Sequence, residues 1–241
     1  MKKNDSGKTP AGAVTLLAVL AIVSAVAAGF RAPEISLGLI SRVVRDVSMR
    51  SDTTADWNRA ERGNPLRSGD RVKTGQQSLA VLKFRDASFV RVGEKSEIVM
   101  SAVGGAGPLV KTIETTGPGG SFGFDIKKQT DAKFQFTSPT SVASIRGTSG
   151  KWTAGSDAND TLWLGSGLVS LLNKISKIGI LIRGGFIAFS NADGTITFRA
   201  MTPEELAEAK LAADGGTERQ LDLRFRNERG EEKDLKIKYK H

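Results

Sequence analysis

The chain has 241 residues, enough for one domain with additions or two small domains, and long enough to bury a real core. It contains no cysteine, which excludes disulfides, thiolate metal sites and cysteine nucleophiles, and its one histidine, His241, is the last residue, which removes nearly every histidine-dependent mechanism. The formal charge is +9, from 35 Lys plus Arg against 26 Asp plus Glu; it favours acidic partners, but the charges are scattered and few aromatics accompany them, so no nucleic-acid interface is expected.

Residues 1–10 are short and basic, with Lys2, Lys3 and Lys8, and Thr9 to Phe30 contain no charged residue. A run of about 20 apolar residues is the length that crosses a bilayer as a helix, and the preceding lysines would hold the N-terminus in the cytoplasm. Ala25, Val26 and Ala27 also supply a small-x-small cleavage pattern. Residues 11–30 are therefore read as a transmembrane anchor or a signal peptide. Either way the rest of the chain is exported: held in the inner membrane by one span with its C-terminal part in the periplasm, or released there after cleavage. Without the segment before Arg31 the balance is 32 basic against 25 acidic residues, or +7.

From Ser41 to Met49 the apolar pattern predicts a strand, and Asp52 to Arg67 reads as a polar excursion. In Gly69 to Ile98, Ala80, Leu82 and Phe84 alternate, and Ser88, Val90 and Val92 alternate after Asp86, which predicts a β-hairpin near the middle of the fold. Leu79, Val81 and Phe89 add apolar groups on the opposite face, so neighbours on both sides are expected. Leu109 to Ile113 is a strand. Phe122, Phe124 and Ile126 alternate, as do Phe134 and Phe136, predicting a second hairpin with a polar turn at Lys127 to Asp131. Ser138 to Trp152 suits a strand that bends at Gly147. Short strands follow at Leu162–Leu164, Leu168–Leu172, Ile178–Ile182, Phe186–Phe189 and Ile196–Phe198, with glycines at the corners and no strict repeat. The expected fold is mainly β: a two-sheet sandwich or solenoid-like stack of short strands over residues 35–200, then a distinct segment at 201–241. In that segment Thr202 and Glu205 form a capping box around Pro203, predicting a helix from Pro203 to Ala213. A terminal hairpin follows from the alternation of Leu221, Leu223 and Phe225 and of Leu235, Ile237 and Tyr239.

Gly69, Asp70, Thr74 and Gly75, then Phe84, Asp86 and Ser88, then Phe136, Thr137, Pro139, Val142, Ala143, Ile145, Arg146, Gly147 and Thr148, then Gly167 and Val169, occur in an order that resembles the FecR domain, named for bacterial iron-dicitrate regulators. The resemblance spans about residues 66–172. Where that family has Asp-Gly-Ser in the hairpin turn, this chain has Ala87, so either the turn type differs or a strain of roughly 1 kcal/mol is carried. The resemblance implies an envelope signalling domain that works by protein contact. About ten residues precede the apolar run, which leaves no room for the cytoplasmic sigma-factor-binding domain of FecR-type regulators. The signature residues are read as architectural. For Arg146 that means pairing with Asp70, Asp86 or a carbonyl at a strand edge; the other reading is a grip on an anionic ligand.

No catalytic motif survives inspection. Gly147 and Ser149 begin a Gly-x-Ser-x-Gly elbow, but Lys151 stands where the last glycine belongs, and the Gly147–Lys151 run is too short for a phosphate loop. Asp157, Asn159 and Asp160 could touch a calcium ion without completing a known loop. No enzyme activity, cofactor or metal is expected. The expected work is binding another envelope protein through sheet edges; the alternative is an acidic cell-wall polymer or lipid headgroups, held by the positive exterior together with Trp152 or Trp163.

Overall fold

The computed structural model describes residues 36–104, 107–117, 119–128, 130, 132–214, 219–226 and 232–239, with side chains as far as Asp214. The predicted hairpin forms as β6 (Leu79–Phe84) and β7 (Phe89–Val92), with Ala80 opposite Val92 and Leu82 opposite Val90. All four side chains are fully buried, because alternation turns one face of both strands onto the same apolar layer. Val81, on the other face, is buried too.

This hairpin is interior to the first of two nine-stranded sheets. Its order is β18 (Ile196–Ala200), β17 (Phe186–Ser190), β14 (Asp160–Ser166), β13 (Thr148–Ala154), β10 (Gly120–Ile126), β7, β6, β1 (Gly38–Val44) and β4 (Pro65–Leu66). The second runs β16 (Gly179–Arg183), β15 (Leu168–Asn173), β12 (Ser141–Ile145), β11 (Ala132–Thr137), β9 (Leu109–Thr115), β8 (Glu97–Val103), β5 (Arg71–Thr74), β2 (Val47–Arg50) and β3 (Asn58–Arg59). The chain lays one or two strands in one sheet and then crosses to the other, so the fold is a sandwich built as a stack of arches. Every described pairing is antiparallel except β9 with β11. Aromatic rings close the space between the sheets: Phe84 meets Phe134 edge-on at 5.1 Å, and Phe124 meets Phe136 at 5.2 Å.

Three expected elements are drawn differently. The single strand at Ser41–Met49 is two strands in different sheets, β1 and β2, with Arg45 at φ 59° in the corner between them. The second predicted hairpin is an arch: β10 pairs with β7 and β13 in the first sheet, while β11 pairs with β9 and β12 in the second. The strand bent at Gly147 is likewise a crossing, from β12 to β13. Alternation specifies which face of a strand is apolar and is silent on which sheet the strand joins, so a hairpin and an arch read alike.

Helix α1 (Pro203–Ala213) starts as the capping box requires: Glu205 N–H donates to Thr202 Oγ1 at 3.2 Å, and Thr202 N–H donates to Glu205 Oε2 at 2.9 Å. It lies on the outer face of the first sheet against β7, β10, β13 and β14 and buries Ala209 and Ala213. Close approach is possible because β10 has Gly123 there: a Cβ at this position would stand 1.8 Å from the Ala212 carbonyl oxygen. The terminal hairpin also forms, from β19 (Arg219–Arg226) and β20 (Glu232–Tyr239), as a separate two-stranded sheet with Leu223 opposite Leu235. No helix among the described residues is long and apolar enough to cross a membrane. Residues 11–30, read as anchor or signal, lie outside the described residues, as does His241.

Candidate functional site

The first group of signature residues knits turns together. Gly69 takes φ 90°, its N–H donating to Met100 O at 2.7 Å, and buried Asp70 accepts from Arg67 N–H at 2.8 Å. Buried Thr74 Oγ1 donates to the Gly93 carbonyl at 2.5 Å and accepts from Ser96 N–H at 3.1 Å, while Gly75 N–H donates to Asp46 O at 2.9 Å. In the β6–β7 turn, Asp86 accepts from Ser88 N–H at 2.8 Å and pairs with Lys111 of β9, so one carboxylate ties the two sheets. Ser88 Oγ is buried and accepts from Lys127 N–H at 3.1 Å. Ala87, where the family has glycine, stands at φ 63°: the turn is kept and the strain carried.

The second group meets where β12 crosses to β13. Gly147 has φ 69° and leaves no room for a side chain beside Lys128, and Thr148 is buried. Gly167 at φ 83° faces Thr148, whose Cγ2 would stand 2.3 Å from a Cβ at 167; the two motifs are one packing unit. The Thr148 hydroxyl has no hydrogen-bond partner among the described residues, so the position uses its methyl. Val169 pairs with Ile145 in register and is buried. Pro139 is exposed in the β11–β12 turn. Arg146 is exposed and, among the described residues, makes neither an ion pair nor a hydrogen bond. The expected pairing with Asp70 or Asp86 is not made: Asp86 is held by Lys111, and Asp70 turns inward to the Arg67 amide.

A buried polar cluster at the other end of the sandwich carries no sequence signal beyond its Ser, Thr and Asn content. Ser138 Oγ donates to Asp160 Oδ2 at 2.5 Å and accepts from Ser141 N–H at 2.9 Å; Ser141 and Asn173 both bond Ser190 Oγ, at 2.8 and 2.9 Å. Burial pushes the Asp160 carboxyl above its ordinary pKa, against the hydrogen bonds from Ser138 and Ser141. Asp157 is exposed, and its carboxyl is held below the ordinary value by hydrogen bonds from Asn159. Among the described residues no three His, Cys, Asp or Glu side chains gather as a metal site. Ser149 Oγ lies 2.7 Å from Ser166 Oγ, and among the described residues neither hydroxyl is bonded to a base. Trp152 is fully buried between the sheets and cannot touch a polymer; Trp163 is half-buried with Lys151 Nζ 4.8 Å above its ring.

The surface that could take a ligand is the β15–β16 hairpin. Leu168, Leu172, Ile175, Ile178 and Leu181 are all exposed on it, Leu181 to 66%. An open groove of about 270 Å³ runs from Leu181 and Arg183 across to Phe186 and to Phe198 of β18. β16 is an edge strand with the sequence Gly-Ile-Leu-Ile-Arg. The other edges of the two nine-stranded sheets are blunted: β3 and β4 have two residues each, β4 contains Pro65, and β18 carries Arg199 paired to Glu205 at 2.7 Å. An apolar edge of this kind offers main-chain hydrogen bonds to an added strand and side-chain contacts to its neighbours.

Comparison with known proteins agrees with the signature. Residues 70–170 match the family model described as FecR protein. Two crystal structures, at 1.65 and 2.50 Å resolution, of a protein from Parabacteroides distasonis titled "a putative anti-sigma factor" align with a TM-score of 0.48 at 11% identity, covering 57% of this chain and 62% of that one. No curated protein matches in sequence. The matched run extends from the buried Asp70 to beyond Val169, so this segment of the chain is similar to the FecR domain.

Proposed function

We propose that the protein is a non-enzymatic signalling module of the cell envelope that docks another envelope protein by adding its strand to β16. The carrying observation is the exposed apolar edge: five exposed large apolar side chains in one hairpin, beside an edge strand with no charge before Arg183. A surface kept that apolar on a chain of +9 needs cover, and a partner strand covers both the side chains and the unpaired main chain. Export through residues 11–30, as an anchor or a signal, belongs to the same proposal and supplies the compartment. To test it, a photo-crosslinking amino acid is placed at 181 and, as control, at exposed Ser156, in intact cells. A single defined adduct from 181, absent from 156 and lost on Ile180→Pro, supports the reading; equal adducts from both, or persistence in the proline variant, overturns it. The second reading, an anionic polymer or headgroup, is favoured by the basic turns described next.

A further inference from the structure

The strand registers place several turns at one end of the sandwich. Gly38 lies opposite Phe84, Asp125 opposite Phe89, Ile126 opposite Thr148, and Ile145 opposite Phe134. The start of the described chain at Ser36, the β6–β7 turn, the β10–β11 loop and the β12–β13 turn therefore share that end. Exposed there are Lys83, Arg85, Lys128, Lys133 and Arg146, for none of which an ion pair exists among the described residues. Among the described residues the carboxylates here are engaged, Asp86 by Lys111 and Asp125 by Lys127 at 2.7 Å. Lys127, Lys133 and Arg146 rim one opening, and Lys83 and Arg85 rim another beside Ser36 and the exposed Leu39. β6, β7, β10 and β13 are adjacent, so at about 4.8 Å per strand Lys83, Arg85, Lys128 and Arg146 spread over only ~15 Å, with Lys133 on β11 of the facing sheet.

We infer that this rim rests on the anionic surface of a lipid bilayer, with Arg146 and Lys128 among the groups that meet lipid phosphates. Two observations choose a bilayer over other anions. The chain enters the domain at this end, and the uncharged run from Thr9 stops at Phe30, six residues before Ser36. Six residues span at most roughly 20 Å, so an anchored chain has little choice about which end faces the lipid. In this respect the inference rests on the anchor reading of residues 11–30. Clusters of Lys and Arg next to a span are drawn to anionic headgroups by about 1 kcal/mol each, close to five-fold per residue. Leu39 supplies an apolar contact at the same rim.

The absence of cysteine allows unique labels. The full chain is reconstituted into vesicles of phosphatidylcholine alone, or with phosphatidylglycerol added, carrying a fluorophore at Thr130→Cys, in the β10–β11 loop, or at Ser156→Cys, at the opposite end. A headgroup-located quencher should quench the label at 130 several-fold more than that at 156. The difference should need phosphatidylglycerol, fall as salt shortens the screening length from ~8 to ~3 Å, and vanish when Arg85, Lys128, Lys133 and Arg146 are changed to Gln. Equal quenching at both positions, indifference to anionic lipid, or equal displacement by a soluble acidic polysaccharide overturns the inference. Flotation with neutral vesicles at high salt tests the anchor separately: loss of flotation there, with salt-sensitive flotation on anionic vesicles retained, refutes the anchor and keeps the rim.

Discussion

Replacing Gly123 by alanine tests whether α1 is seated on the first sheet as described. The new Cβ would stand 1.8 Å from the Ala212 carbonyl oxygen and 2.6 Å from its carbon, whereas real contacts stop near 3.0 Å, so the helix must back away by about 1.2 Å. Backbone atoms cannot rotate aside as a side chain could, and overpacking of this kind costs about 1–3 kcal/mol. Among the contacts that hold α1 are two buried alanine methyls at about 0.8 kcal/mol each, Arg91 Nη1 donating to the Leu211 and Asp214 carbonyls at 3.2 and 2.8 Å, and the partly exposed Lys151–Glu208 and Arg199–Glu205 pairs, which add little each. The expected outcome is a loss of ~2 kcal/mol in which the helix lifts while the sheets persist. Thermal unfolding should move down by roughly 4–8 °C, and trypsin should cleave at Lys210 faster than in the parent. An unchanged melting temperature with unchanged cleavage at Lys210 refutes the close approach.

Ala87→Gly should raise stability by about 0.5–1 kcal/mol in denaturant unfolding, because the ~1–2 kcal/mol of left-handed strain at φ 63° exceeds the extra unfolded-state entropy of glycine; a decrease would mean the turn is not strained. Gly147→Val should cost ~3 kcal/mol through its φ of 69° and the contact with Lys128, and an unchanged melting temperature would remove this account of the turn. Thr148→Val keeps the methyl against Gly167 and removes a buried hydroxyl without a partner, so unfolding should become harder by about 1 kcal/mol; a loss of that size would reveal a partner for the hydroxyl. Asp160 is raised above 3.8 by burial, so the folded state binds its proton more tightly than the unfolded one, and its contribution is most favourable below 3.8 and declines as pH rises through the folded value. Asp160→Asn should therefore be more stable than the parent at pH 7, with the gap closing toward pH 3.5 in urea titrations; a gap that widens on acidification contradicts this. Glu205 behaves in the opposite sense: the hydrogen bond from Arg199 holds its carboxyl at about 2, so its support for the helix start is present above 4.5 and lost as pH falls toward 2.

Much of this protein is legible in residue order alone. Alternating Ala80, Leu82, Val90 and Val92 define two strands and their buried face because a two-residue period admits one extended geometry, and Thr202, Pro203 and Glu205 define the start of a helix because capping is settled within four residues. Gly69, Gly147 and Gly167 are legible for a similar reason: their positive φ is a backbone requirement of turns, and it stays local. What the tertiary structure alone decided is everything that depends on partner choice. Whether Phe122 and Phe136 belong to one hairpin or face each other across two sheets follows from which strands pair, a long-range outcome invisible to periodicity. Arg146 is free of Asp86 because Lys111, distant in sequence, reaches that carboxylate from the other sheet. The apolar edge of β16 and the cluster of cations beside Ser36 are likewise products of stacking: residues harmless as scattered letters become surfaces once the arches set them side by side.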